Sequence, residues 1–529
     1  MKYDAIVIGA GHNGLVCAAY LARAGRRVLV LERREALGGM AGTSEILRGV
    51  RVPTLAHTVG RLRPSVARDL GLRDQGLRLV QPAVRVFAPQ PDGRAVTLWG
   101  DAPRTAEALA VNDLVSVADA GAYAAIDGRA RALGRGLAEL LGRVPPDLTS
   151  PTLGDAFGGV RAGLAARSRA RNADLNLMRV MPMAVRDLVG EWFASDALQA
   201  AVAARGVLLT ALGPRMPGTA AVLLTDLAGN DGGLAGQTVF ARGGPGALIA
   251  ALAASARANG AEIRTRAPVL RVLRDGERVV GVVLASGEEI DASVVVSNLD
   301  PRSTLLDLVE PEALGPTLSW RASNIRQHGV TAKVNFALRD LPRFTAAGDD
   351  VRRLRGRILI APSMRYLELA QRPAKYGETA AQPLIEATIP SLVDPELVRA
   401  RRRGPKIAHV LSAVTQAVSG DGDVGEIVTR TLEEYAPGFT DLTVERRVIM
   451  PADIERDYGA IGGHPMHAEV ALDQWFAWRP LHGYGRYRMP LDGLYLCGSG
   501  AHPGGSVTGD PGQLCAREVL SDWKRRRLQ

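Results

Sequence analysis

The chain has 529 residues, 47% hydrophobic and 23% charged, a composition that allows a large buried core and excludes a disordered or fibrous protein. The formal net charge is +10, but the excess is spread along the chain without interleaved aromatics, which argues against a nucleic-acid binder. Cys17, Cys497 and Cys515 lack the spacing of a metal site or disulfide framework, and no uncharged apolar run reaches the roughly 18 residues of a transmembrane helix.

The first element is a short apolar run, residues 5–8, read as a buried parallel strand. It runs into Gly9-Ala-Gly-His-Asn-Gly14, then a helix pattern over 13–24, a second strand at 28–31, and Glu32. In that order each glycine has a task. Gly9 allows the tight turn, Gly11 lets backbone N–H groups approach a diphosphate, and Gly14 lets the helix pack on the strand. The diphosphate sits on the positive end of the helix, and Glu32 accepts hydrogen bonds from a ribose hydroxyl. The expectation is a dinucleotide site at the N-terminus.

Next come Arg33 and the paired Gly38-Gly39, followed by Met40, where glycines imply backbone lying against something bulky. Residues 44–100 hold short strand-like runs with turns at Val80-Gln-Pro82 and Pro91-Asp-Gly93. From 101 to 230 the pattern is helical and Ala/Leu-rich, broken at Pro145-Pro146 and Gly213-Pro214. The α/β pattern returns at 236–300: Gly243-Gly-Pro-Gly246, a helix over 247–259, and a strand at 261–265. Runs at 269–273, 279–284 and 289–298, with Asp-Gly and Ser-Gly turns, read as a small antiparallel insert. Residues 301–490 mix helices and strands, and Gly493-Leu-Tyr-Leu-Cys-Gly498 is a last strand entering a glycine turn and a helix. Dinucleotide-binding character thus recurs in three pieces, which disfavours a simple NAD dehydrogenase with one continuous nucleotide domain. The basic Lys524-Arg-Arg-Arg527 reads as a solvated helix end that can also meet an anionic membrane surface. With no leader pattern before the first strand, a cytoplasmic location is expected, with membrane contact at most peripheral.

Gly9–Gly14, Glu32, Gly38-Gly39 and the closing Tyr495-Leu-Cys-Gly-Ser-Gly-Ala-His-Pro-Gly-Gly-Ser-Val-Thr-Gly509 together resemble the FAD-dependent phytoene desaturase-like oxidoreductases. These belong to the wider glutathione reductase/amine oxidase superfamily, and the phytoene dehydrogenase-related branch is nearest. The resemblance implies an α/β fold: a Rossmann-like FAD-binding domain with an inserted α+β substrate domain and a helical cap. The FAD-binding domain would comprise residues 1–70, 236–300 and 490–529. The substrate domain would comprise 71–100 and 301–489, and residues 101–235 would form the cap, with a surface able to face a membrane.

The resemblance also implies site roles. Gly9, Gly11 and Gly14 would line the FAD diphosphate, with His12 and Asn13 in the same turn, and Glu32 would bind the adenosine ribose. Arg33, Gly38, Gly39 and Met40 would follow toward the flavin, and Val269 would bracket the adenine. Gly498, Ser499 and Gly505, Ser506, Val507 and Thr508 would approach the ribityl and isoalloxazine, the following helix aiming its N-terminus at the flavin. Many relatives carry Asp where Ser499 stands, so here the ribityl contact is uncharged. Lys333, inside the apolar run Gly329–Leu338, corresponds to a lysine that holds a water near flavin N5 in amine oxidases of this superfamily. His467 and His502 are further catalytic candidates, and His57 and Arg61 lead toward the flavin. His464, His467 and Glu469 lack the spacing and fourth ligand of a metal site, so no metal is expected.

The implied activity is hydride transfer from a hydrophobic substrate, isoprenoid or carotenoid-like, to flavin N5, with O2, a quinone or NAD(P) as acceptor. An amine oxidase is the second reading; low aromatic content and the absence of a paired-Tyr motif near residue 490 weigh against its aromatic cage. A flavoprotein that mainly binds partners is the third.

Overall fold

The structure, a computed structural model, describes residues 3–151, 153–169, 177–229, 233–399, 404–420, 422–525 and 528. Its central element is the strand Tyr3–Ile8, whose residues 5–7 are fully buried. It pairs in parallel with Val28–Leu31 on one side and Glu289–Ser297 on the other. Glu262–Arg264 extends the sheet beyond Val28–Leu31, and Leu494–Leu496 adds to Glu289–Ser297, both in parallel. One sheet therefore collects strands from the start, middle and end of the chain. The α/β architecture expected from the sequence is the one observed.

One local expectation is corrected. The run 289–298 is not confined to an antiparallel insert. Glu289–Ser297 begins antiparallel to Arg278–Leu284, then continues as a central strand of the parallel sheet. Val294, Val295 and Val296 are buried on both faces, so continuous apolar residues, not alternation, mark this half of the strand.

The helix His12–Arg23 crosses behind the sheet, flanked by Pro245–Ala258 and the C-terminal Asp510–Lys524. The approach of the first and last helices requires a glycine, because a Cβ on Gly512 would lie 2.2 Å from the Asn13 carbonyl oxygen. Cys17, Cys497 and Cys515 are all buried. The C-terminal helix ends at Lys524; Arg526 and Arg527 of the basic tail lie outside the described residues.

A second seven-stranded sheet runs in the order Thr443–Ile449, Thr331–Leu338, His409–Gln416, Ile385–Thr388, Arg357–Ile360, Val84–Pro89, Ala95–Trp99. All its pairings are antiparallel except that of Arg357–Ile360 with Val84–Pro89. Every residue of Thr331–Leu338 is buried, so this strand is covered on both faces. The helical stretch predicted after residue 100 is observed from Ala102–Ala110 to Thr219–Leu227, including the 25-residue helix Val117–Leu141. Among the described residues no helix is long and apolar enough to cross a membrane.

Close packing at the first turn generates a test. A Cβ on Gly14 would stand 2.2 Å from the Gly9 carbonyl oxygen, so Gly14→Ala forces backbone to move and costs about 1–3 kcal/mol. Gly121, exposed in Val117–Leu141, has nothing within 4 Å of its Cβ position, so Gly121→Ala stabilises by up to about 1 kcal/mol. Thermal melts of FAD-free protein should move in opposite directions for the two variants; an unchanged melt for Gly14→Ala contradicts the packing account.

Candidate functional site

The first strand ends at Gly9, whose φ of 93° turns the chain into a loop and then a helix capped by Gly11. The helix carries no acidic residue in its first turn, so its positive end is free for an anion. Glu32 follows the second strand. Its Oε2 accepts from the Ala10 N–H at 2.9 Å and its Oε1 from the Arg34 N–H at 2.9 Å, which ties the glycine loop to the strand end. Gly38, at φ 104°, donates its N–H to the Ala10 carbonyl at 3.0 Å and lies where a Cβ would press into Ile249 at 2.7 Å. The paired glycines thus lie directly against the phosphate loop.

The C-terminal loop closes on the same place. Asn13 Nδ2 donates to Ser499 Oγ at 3.4 Å, and Asn298 Nδ2 donates to the Gly9 carbonyl at 3.3 Å. Among the described residues the buried Arg479 guanidinium bonds carbonyl oxygens alone, including Ser499 at 2.8 Å and Met466 at 2.9 Å, and so pins this loop to residues 466–474.

Between these loops and the second sheet lies a cavity of about 540 Å³. Of the residues expected to hold FAD, Gly9, Gly11, His12, Asn13, Glu32 and Arg33 line it, as do Gly38, Gly39, Met40 and Val269. From the C-terminal loop, Ser499, Ser506 and Val507 line it. The remaining four stand elsewhere. Gly14 acts by packing, as described above. Gly498 is pressed against the Leu299 and Asn298 carbonyls, and Thr508 accepts the Arg63 N–H at 3.0 Å. Gly505 faces Arg61 and a smaller adjoining cavity. The final helix begins beyond the lining residues, and its first-turn Asp510 pairs with Arg63 at 2.6 Å, so its positive end is already partly neutralised.

Two observations fit an FAD in this cavity. Asn13 Oδ1 and His12 Nε2, in the glycine loop and the start of its helix, are buried without a hydrogen-bond partner among the described residues. Gly39 has open space where a Cβ would be, next to the helix end. Burial holds His12 down to about 4, so it meets a ligand as a neutral imidazole.

Of the three catalytic candidates, Lys333 and His467 line the cavity. His467 takes a left-handed backbone (φ 61°), and its Nδ1 is buried without a partner; burial lowers its pKa. His502 is a correction. It does not line the cavity: its Nε2 faces the Leu141 and Arg143 carbonyls at 3.1 and 3.0 Å, and its ring meets Phe476 edge-on. It secures the loop to the end of the long helix. His464 is also turned inward, accepting the Met466 N–H at Nδ1, and among the described residues no group of His, Cys, Asp and Glu has metal-binding geometry.

Lys333 heads a chain of buried polar groups. Its Nζ lies 3.1 Å from His57 Nδ1, His57 Nε2 lies 3.0 Å from Glu386 Oε1, and Glu386 Oε2 accepts from Arg357 Nη1 at 2.9 Å. All four residues line the cavity. Burial pushes Lys333 down to about 7, against the opposing pull of Glu386. Burial and then the Lys333 charge hold His57 at about 4, so the ring is neutral, with its Nε2 proton toward Glu386 and Nδ1 open to Lys333. Burial would raise Glu386, but Arg357 and His57 overcome it and keep the carboxyl at about 2. Glu386 and Arg357 were not singled out from the sequence. The signal was the one that marked Lys333: a charged residue within an apolar strand, Ile385–Thr388 and Arg357–Ile360.

The Lys333 shift has a consequence for stability. The unfolded lysine titrates near about 10.4. Between about 7 and 10 the unfolded chain therefore binds a proton that the folded chain does not, so stability rises with pH across that window. Lys333→Met removes this rise. Melting temperatures of the two proteins should differ most in favour of the variant near pH 7, with the difference narrowing toward pH 10; a pH-independent difference contradicts the burial account.

The family described as Flavin containing amine oxidoreductase matches residues 14–361. The chain is 34% identical to pyridine nucleotide-disulfide oxidoreductase domain-containing protein 2 of Rattus norvegicus, covering 99% of this chain and 94% of that protein. It is 27% identical to a limonene dehydrogenase component of Castellaniella defragrans, covering 98% and 94% respectively. Among solved structures, an oxidoreductase from Methanosarcina mazei has the same fold, with a TM-score of 0.61 at 18% identity over 98% of this chain and 100% of that one. Taken with the glycine-lined cavity, these matches make the chain a member of the flavin-containing amine oxidoreductase family and an FAD-dependent oxidoreductase.

Proposed function

We propose that this oxidoreductase is of the dehydrogenase or desaturase type and removes a hydride and a proton from a substrate with a largely apolar body. The observation that carries the reading is the character of the cavity lining. Leu55, Leu208, Leu209 and Met466 line the cavity along with Lys333. Among the described lining residues the one tyrosine, Tyr458, stands beside Arg34, and there is no phenylalanine or tryptophan. An aromatic cage that would grip an amine is therefore not built on this wall. The similarity to the limonene dehydrogenase component over nearly the whole chain supports the same class.

Bound FAD supplies the hydride acceptor. The chain's own contribution is to hold the substrate, exclude water and handle the proton. Lys333 Nζ, neutral above about pH 7, is the group on this wall suited to accept the proton released from substrate. The protonated amine then donates to His57 Nδ1, whose ring is oriented by Glu386, while Arg357 fixes the carboxylate. Electrons leave to O2, a quinone or NAD(P)+. An amine oxidase is the second reading, favoured by the buried strand lysine.

Anaerobic mixing of the FAD-loaded protein with a panel of cyclic and linear isoprenoids and of primary amines separates the two. Loss of oxidised-flavin absorbance with an isoprenoid is expected; bleaching by amines alone overturns the reading. With a productive substrate, the reduction rate should rise with pH through about 7. Lys333→Met should flatten this profile and slow reduction about 10²–10⁴-fold. Glu32→Ala, which frees the glycine loop and removes the ribose acceptor, should leave the protein colourless after desalting. Photoreduced protein should re-oxidise rapidly with at least one of the three acceptors, an outcome a mere binding protein would not give.

A further inference from the structure

The main cavity adjoins a smaller one of about 80 Å³ on the side of the helical segment, with room for a small polar group. The wall between them carries both polar groups, Arg61, Arg205, Asp226 and Ser506, and the apolar Leu208, Leu209 and Met466. Trp475, Val222 and Val470 complete the far side of the smaller one.

The charges here do not balance. Among the described residues Arg61 and Arg205 share a single carboxylate, Asp226: Arg61 Nη1 stands 3.8 Å from it, and Arg205 Nη2 is hydrogen-bonded to it. Their other bonds go to neutral carbonyls, Arg61 to Thr225 at 2.8 Å and Arg205 to Gly233 and Leu234 at 3.1 Å. Arg357 lies alongside. A Cβ on Gly236 would come within 2.6 Å of the Arg205 guanidinium carbon and 2.7 Å of Arg357 Nη2. Among the described residues three guanidinium groups, Arg61, Arg205 and Arg357, thus meet two carboxylates, Asp226 and Glu386, while Arg479, which also lines the smaller cavity, bonds carbonyl oxygens. Burial and the neighbouring arginines hold Arg61 down to about 10 and Arg205 to about 9, which leaves both charged at neutral pH. Glu469, behind this wall, is pushed up to about 7 by burial and does not make up the deficit.

Donors are also left over. Nε of Arg61, Nε of Arg205 and the indole Nε1 of Trp475 are buried without a hydrogen-bond partner among the described residues. An excess of buried positive charge beside unsatisfied donors is costly unless an anion completes it. Guanidinium groups are suited to a planar carboxylate.

We propose that the substrate is amphipathic, with an apolar body along the flavin cavity and an anionic head, a carboxylate, seated in the annex between Arg61, Arg205 and Trp475. This rests on reading the main cavity as the site of flavin oxidation, and it names the class of substrate that site takes. The head anchors the molecule at one end, so the oxidised carbon is set by its distance from the carboxylate.

The test uses the FAD-loaded protein and three probes with one chain length: decanoate, decanamide and decylamine. Binding is read from the perturbed flavin absorbance and, independently of flavin, from the thermal shift. Decanoate should bind at least tenfold tighter than decanamide, with decylamine weakest. Arg205→Met should abolish the preference for the acid. Asp226→Asn, which removes the competing carboxylate, should tighten decanoate at least threefold, a gain that a merely structural lesion would not produce. Trp475→Phe should weaken decanoate several-fold. Equal affinity for acid and amide, preference for the amine, or unchanged decanoate affinity in both Arg205→Met and Asp226→Asn overturns the proposal. A protein that holds no flavin yet still prefers decanoate by thermal shift would refute the flavin-cavity reading and leave the anion site standing. Flavin reduction by neutral isoprenoids without decanoate binding would do the reverse.

Discussion

The helix His12–Arg23 lies so near the strand before it that carbonyl oxygen meets Cα hydrogens where any other residue would place a side chain. This contact sets the geometry of the whole nucleotide end. Because Gly14 allows it, the helix N-terminus points along the cavity. Because Gly512 allows a similar approach from behind, the C-terminal helix lies flat against the first. The loop before that last helix is then delivered to the far side of the same cavity. Residues separated by nearly the full length of the chain, Asn13 and Ser499, meet there. Glu32 reinforces the arrangement by accepting one N–H from the glycine loop, at Ala10, and one from the end of the second strand, at Arg34.

On the opposite wall a different constraint operates. Lys333, His57, Glu386 and Arg357 are ionisable groups removed from water, each of which would be costly alone. They persist because each finds the next: amine to imidazole, imidazole to carboxylate, carboxylate to guanidinium. The guanidinium ends on the Ala235 carbonyl at 2.8 Å and Thr238 Oγ1 at 3.1 Å. A buried network of this kind is rigid when complete. It couples the second sheet to the segment 235–238 that leads back into the nucleotide-binding half. The cavity is thus bounded by a wall whose proton inventory is set by burial, and by a neighbouring annex whose guanidinium groups outnumber the carboxylates among the described residues.

Legibility in the sequence followed the range of the interactions involved. The glycine turn, the first helix, the acid after the second strand and the paired glycines are local patterns, and each was found where it was read. The strand 289–297 is only half legible, because alternation and turn residues suggest a small antiparallel insert while pairing with Tyr3–Ile8 and Leu494–Leu496 is invisible locally. His502 was drawn to the flavin by its glycine-rich neighbours, but its ring turns away to carbonyls of the helical region, more than three hundred residues distant in sequence. Lys333 was legible as a charge in an apolar strand. Glu386 and Arg357 bore the same mark, yet one charge in a strand has no meaning until its partner is known.

By itself, then, the sequence determined a dinucleotide site and the scaffold, and the resemblance of its two glycine-rich ends to a known family narrowed the dinucleotide to FAD. Spacing of glycine, acid and apolar runs is a one-dimensional property, and a helix N-terminus facing a diphosphate needs little beyond it. Tertiary structure decided everything that depends on a meeting between distant strands. It placed His57 between Lys333 and Glu386, kept phenylalanine and tryptophan out of the described lining of the main cavity, and gathered Arg61 and Arg205 around one carboxylate among the described residues. The physical reason is that burial and charge pairing are properties of surroundings: the same arginine is a solvated surface group or an anion receptor according to which elements fold around it.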